Sequence, residues 1–294
     1  MSANITLGIF TIAIMILTIG VHPFPRKVTH TYWFWLAYGI FTLTLIIVYR
    51  WGLDIRDLAN YLNKGTLSPI GADEGLMWSK ALLLDMCPAT AVAISIAIVV
   101  DPTRKGARAI APMAIFGGMI TVFGQIMLGN DGAEWSYEYL FVGFGANRAY
   151  FLIHFFNIIT GILVLLNTPR FTLNTYCGEY LLNAFYFLYV AIVVYAFDGV
   201  IYCNVTGILI YDWTSIGEYS VVADTLNCSP EVAMVVGYAA CILAVNAIIG
   251  LNVAFQRCFE PYKVKNKHSK KWYKGLNGWY ELKPYSKNKH LKNV

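Results

Sequence analysis

Apolar residues gather in this chain in long runs, separated by short polar breaks. Runs of about 20 mostly apolar residues, the length an α-helix needs to cross a bilayer, lie near 3–21, 31–50, 79–100, 107–128, 149–167, 180–203 and 230–254. The pattern predicts an all-α fold, a polytopic membrane helical bundle of about seven transmembrane helices. The first run begins almost at Met1, with no basic segment before it and no small-residue cleavage site, so it reads as a retained helix. The sixth is interrupted by Glu179, Asn183 and Asp198. Between the second and third runs, 51–78 reads as partly helical, with Trp51, Leu53, Ile55, Leu58 and Leu62 available for an interfacial face. The segment 129–148 is acidic and aromatic and fits the headgroup belt.

Composition supports lipid as the solvent. Charged residues make up 13% of the chain, against roughly 25% in soluble domains. Orientation follows from Lys and Arg. With the amino terminus outside, the outer side keeps only Arg50, Arg56, Lys64, Lys80 and Arg148 of the 22 Lys and Arg. The others, including Arg104, Lys105, Arg108 and all those from Arg257 to Lys292, fall inside, as cytoplasmic segments require. The expected topology is amino terminus out and carboxyl terminus in, at the cell membrane. Residues 1–257 form the transmembrane domain and 258–294 a basic, aromatic cytoplasmic tail.

That tail carries Asn277-Gly278 between aromatic stretches, a hairpin signal. Because it leaves a membrane helix directly, its Lys residues are expected to meet anionic lipid headgroups rather than nucleic acid. The six cysteines include no CxxC pair, so neither metal nor cofactor is expected from their spacing. Cys203 and Cys228 both lie near the outer face, where a disulfide and two unlinked thiols are equally open readings. The absence of a GxxxxGK[ST] loop argues against a nucleotide-driven pump.

Chemistry-bearing side chains share one depth. Counted at about 1.5 Å per residue, Asp85 and Cys87 lie roughly 6–10 Å below the outer end of the third run, and His154 about 8 Å into the fifth. Asp198 is at a similar depth in the sixth, and Gln125 just inside the outer end of the fourth. Asn157 follows His154 by one turn on the same helix face. A carboxylate in hydrocarbon is costly and usually faces a protein interior or a watery cavity. Pro88, two residues into this cluster from Met86, is expected to bend the third helix. A thiol and an imidazole at matched depth are what covalent acyl transfer needs: Cys87 as nucleophile and His154 as base, with Gln125, Asn157 and Arg148 as candidate oxyanion donors and Asp85 orienting or binding a headgroup. The leading expectation is thus a membrane lipid acyltransferase or acyl hydrolase; the alternative is proton or cation transport through Asp85, His154 and Asp198, and a further one a structural subunit in which these groups tie helices together.

The stretch LLLDMCPATAVAISIAIVVDPTRKGARAIAPMAIFGGMITVFGQI, followed by YLFVGFGANRAYFLIHFFNIITGILVLL, resembles the YwaF-type integral membrane family. The resemblance covers roughly 30–250 by hydropathy, spacing and order; Asp85 stands where that family often has His or Gln. The divergence and the lysine-rich tail are similar to uncharacterised mollicute members. Eukaryotic relatives of that family include a membrane phospholipid acyltransferase that uses a cysteine and a histidine. The resemblance implies that Cys87 matches the family cysteine and His154 the histidine, with membrane lipids as substrate as well as solvent.

Overall fold

The apolar runs fold into helices, which satisfy their backbone groups internally, as a chain crossing hydrocarbon would have to. The computed structural model describes residues 3–21, 31–64, 74–127, 150–168, 171–197, 207–215, 217 and 219–259. Among them there is no strand. In chain order they are α1 (Ala3–Val21), α2 (Tyr32–Thr44), a π-helical stretch (Leu45–Trp51), α3 (Gly52–Lys64), α4 (Glu74–Ala81), α5 (Met86–Val100) and α6 (Lys105–Met127). There follow α7 (Tyr150–Leu166), α8 (Leu173–Ala196), a 3-10 turn (Ile210–Trp213), α9 (Ser220–Leu226) and α10 (Pro230–Phe259).

Five of the helical stretches are long and apolar enough to cross a membrane: Tyr32–Asn63, Met77–Val100, Lys105–Gly124, Leu173–Ala196 and Pro230–Ala254. Two shorter apolar helices, Leu7–Gly20 and Phe151–Leu166, accompany them. Tyr32–Asn63 runs on for 32 residues, about 48 Å at the helical rise, and so outreaches the hydrocarbon. Its far end is the amphipathic α3, which buries Leu58 against Met77 and Ala81 and leaves Ile55 and Leu62 exposed.

The core sits where α2, α5, α6 and α7 meet, around Trp35, Ile94, Ile98, Ala111, Ile115 and Ile158. Glycine brings α6 and α7 into close approach. A Cβ on Gly118 would lie 2.6 Å from the His154 carbonyl oxygen, and one on Gly161 would lie 2.8 Å from the carbonyl oxygen of Ala111. Polar stitches tie α2 to its neighbours: Tyr38 Oη to Thr160 Oγ1 of α7 at 2.7 Å and Thr42 Oγ1 to Ser95 Oγ of α5 at 3.0 Å. Such bonds serve as interhelical glue inside a membrane.

Three sequence expectations change. The third run is not one helix bent at Pro88; it stops at Ala81 and restarts at Met86. Pro88 falls in the first turn of α5, where an N–H would have no helical acceptor, so it fits without a kink. The sixth run begins at Leu173, with Glu179 and Asn183 inside the helix. Finally, Arg104 and Arg108, read as loop cations, turn into the protein. Arg104 lies 5.0 Å from the Trp35 ring centroid, and Arg108 Nη2 donates to Thr175 Oγ1 at 3.0 Å.

The α5–α6 turn between them is closed by Asp101, which accepts from the Thr103 N–H and hydroxyl and from the N–H groups of Lys105 and Gly106. Partial burial works against its charge, but these hydrogen bonds outweigh it and hold the carboxyl below the usual range.

Beyond α8, the 3-10 turn and α9 pack on the start of α10 through Trp213, Ala223 and Ala233. Asp212 is fully buried there. Burial pushes its carboxyl up to about 6, against the N–H groups of Leu209 and Gly207, which pull it down. The folded chain thus holds the Asp212 proton more tightly than the unfolded one. That stabilisation is complete below the ordinary value of 3.8 and is lost as pH rises through about 6. Thermal unfolding of wild type and Asp212→Asn should therefore nearly coincide at pH 4 and diverge toward pH 7, with the variant the more stable. A gap that does not change with pH would refute this assignment.

Candidate functional site

The interruption between α4 and α5 builds the candidate site. α4 ends in a Schellman arrangement: the Leu84 N–H bonds the Ser79 carbonyl at 2.8 Å and the Leu83 N–H that of Lys80 at 3.2 Å. The motif needs a left-handed residue, normally glycine, and here Leu83 takes it with φ 53°. A side chain in that region costs roughly 1–2 kcal/mol, so the surroundings must hold the break in place. They do so with donors from two other helical stretches. Trp51 Nε1 donates to the Ala81 carbonyl at 2.7 Å, Tyr189 Oη to that of Leu82 at 2.7 Å and Tyr186 Oη to that of Leu84 at 2.6 Å. Non-helical backbone within an apolar stretch is tolerated where protein satisfies it in this way.

Asp85 follows in extended conformation (φ −76°, ψ 128°) at the N-cap of α5, but its side chain does not cap the helix. Its Oδ1 is buried with no hydrogen-bond partner among the described residues. Ser79 lies beside it, and the charges of Lys80 and Arg50 act on it. Arg50 comes from the π-helical stretch, is buried, and pairs with Asp54 at 3.1 Å. Stretches of this kind recur at functional positions. An apolar pocket between this stretch and α7, lined by Leu45, Tyr49, Arg50, Leu152 and Phe156 among others, adjoins the same arginine.

Cys87 is buried in the first turn of α5. Its main-chain oxygen accepts from Asn157 Nδ2 of α7 at 3.0 Å. Its Sγ turns toward α6, 3.7 Å from Thr121 Oγ1 and against Gly117, where a Cβ would approach the sulfur to 3.3 Å. His154 is buried on α7 one turn before Asn157, with its carbonyl against Gly118. The structure brings Asn157 to the backbone oxygen of Cys87, and among the described residues the hydrogen-bonding neighbour of the thiol is Thr121. Gln125 lies on α6, with its side chain outside the described residues, as are Arg148, Asp198 and Cys203. The Cys203–Cys228 question and the tail 260–294 lie outside them too.

Sequence reasoning missed Arg50, Trp51, Thr121, Tyr186 and Tyr189. It also passed over a legible signal: Asp85, with Pro88 three residues later, has the spacing of a helix start rather than of a bend.

The chain belongs to a family of unknown function, DUF5378, whose model matches residues 9–277. It is similar to the uncharacterised protein MG135 of Mycoplasma genitalium, 34% identical over 175 residues, covering 58% of this chain and 62% of the relative, just under two thirds of that protein's length. The MG135 homologue of Mycoplasma pneumoniae is 30% identical over 235 residues, covering 78% of this chain and 81% of the relative. No solved structure matches.

Proposed function

We propose that this DUF5378 protein is a membrane-spanning binding protein or carrier for a small solute, coupled to a proton or cation that Asp85 holds in the broken third span. One observation carries the reading: the Asp85 carboxyl sits beside Ser79 in a braced interruption of an apolar helix, with Oδ1 buried and without a hydrogen-bond partner among the described residues. Ionisable groups inside a membrane typically mark substrate, ion or proton pathways. Discontinuous helices supply such sites in many carriers, because their free backbone groups and half-helix ends meet the ligand. The charges of Lys80 and Arg50 act on this carboxyl, with Arg50 itself paired to Asp54.

Acyl transfer has weaker support. It needs the His154 imidazole to take the Cys87 proton, and the hydrogen-bonding neighbour of that thiol is Thr121. The carrier reading takes α1 and α7 as spans as well, which gives seven, with the amino terminus outside and the basic tail on anionic lipid at the cytoplasmic face of the cell membrane. Substituted-cysteine labelling in intact cells should then reach position 134 and spare position 270; the same accessibility at both would overturn this topology. The test of function is solute-dependent proton flux into vesicles carrying wild type or Asp85→Asn, with flux expected only for wild type.

A further inference from the structure

We infer that Glu179 is a second, separate proton-binding site within the membrane, a carboxylic acid carried neutral on the inward face of α8. Its side chain is 1% exposed, and neither Oε meets full hydrogen-bond geometry among the described residues, although the Asn183 amide approaches the carboxyl. An ionised carboxylate without donors in such surroundings is far more costly than the neutral acid. The helix itself shows which way Glu179 faces. Leu181, Phe185, Leu188, Ile192 and Tyr195 are all exposed and form one lipid-facing stripe. Glu179 lies on the opposite side, between Thr175 and Tyr186, with Asn183 one turn on as its neighbouring amide. The adjacent Gly178 lies 3.8 Å, counted from a notional Cβ, from the Ala109 Cβ of α6.

Among the ionisable groups around it, Tyr180 feels the charge of Glu179, while the hydrogen bonds they make go to other partners. On α6, Arg108 donates to Thr175, and the charge of Asp101 acts on it. On α8, the Tyr176 hydroxyl donates to Asn246 Oδ1 of α10 at 2.9 Å, while Asn246 Nδ2 donates to Tyr180 Oη at 2.6 Å. On α10, Cys241 packs in the apolar cluster with Met113 and Tyr176. Two turns beyond Glu179 on the same face, Tyr186 reaches the Leu84 carbonyl next to Asp85. One helix face thus joins the buried acid to the broken third span. The site rests on α8 crossing the membrane and is independent of the role given to Asp85.

The experiment is carboxyl labelling of the full-length protein in lipid vesicles at pH 6.5, followed by peptide mass mapping. Dicyclohexylcarbodiimide reacts with protonated carboxyls in apolar surroundings: the acid proton moves to a carbodiimide nitrogen, and the carboxyl oxygen bonds its central carbon. Rearrangement then leaves a stable N-acylurea. Glu179 should take this adduct, should resist a water-soluble carbodiimide, and should label equally in sodium and choline chloride. It should also label in the Asp85→Asn protein, which separates this inference from the carrier reading. Glu179→Gln should lose the adduct and unfold at or above the wild-type temperature at pH 6.5, since the neutral amide needs no proton to fold. No adduct at Glu179, equal labelling by both reagents, protection by sodium, or clear destabilisation of Glu179→Gln would each overturn the inference.

Discussion

Asp85→Asn should reduce solute-coupled proton flux to the level of empty vesicles, while Cys87→Ser should leave flux within about twofold of wild type. The amide keeps the size of the carboxyl and removes its titration. It should also keep the fold, because the break is held through the main-chain oxygens of Ala81, Leu82 and Leu84 rather than through the Asp85 side chain. The serine hydroxyl can still meet Thr121 on α6, the neighbour of the native sulfur. A thiol acyltransferase would give the reverse order. Cys87→Ser would then end exchange of labelled acyl chains between lipids, since a serine without retuned partners is a poor nucleophile, and Asp85→Asn would be only partly impaired. Flux and lipid exchange measured on the same two variants separate the readings. If both assays were indifferent to both substitutions, this layer would be structural and the carrier reading would fall.

The order of these effects turns on geometry that the sequence carries only in part. Hydropathy locates helices well, because a run of about 20 apolar residues has few alternatives in lipid. It also gives depth along each helix, so Asp85, Cys87 and His154 are found at one level. Depth does not give azimuth. Which way the Cys87 sulfur points depends on where α5 restarts, and a hydropathy window does not register a restart when Leu83 and Leu84 are themselves apolar. A leucine in the left-handed region is rare enough that no residue-by-residue preference anticipates it. Averaging over a window hides faces as well. Glu179 and Asn183 lower the mean of the sixth run and read as a boundary, whereas one inward side of a long helix carries the buried acid. Counting charges by loop says nothing of the burial of Arg104 and Arg108 for a related reason. The positive-inside bias depends on sequence position alone, while Trp35 and Thr175 draw both guanidinium groups into the protein.

The α6–α7 contact holds Asn157 against the Cys87 carbonyl, and Gly161→Leu should disrupt it more than any surface change. A Cβ at Gly161 would come within 2.6 Å of Ile115 Cγ1 and 2.8 Å of the Ala111 carbonyl oxygen. The isoleucine can rotate, but the carbonyl belongs to a helix backbone and moves only if α6 moves. Without a hydrophobic drive between helices in lipid, close approach through small residues is a principal source of packing energy. Overpacking typically costs about 1–3 kcal/mol, enough to lower the unfolding midpoint in detergent by several degrees at roughly 2–4 °C per kcal/mol. Gly118→Leu should behave alike, since its Cβ would lie 2.6 Å from the His154 carbonyl oxygen. Replacing a helical glycine also gains on the order of 1 kcal/mol of propensity, so a matched control is needed. Gly124 on the same helix supplies it, because a Cβ there meets nothing within 4 Å. Gly124→Leu should therefore unfold at or above the wild-type temperature while Gly161→Leu unfolds below it. Coincident midpoints for these two variants would mean that close glycine packing does not hold α6 on α7, and the positioning of Asn157 would need another cause.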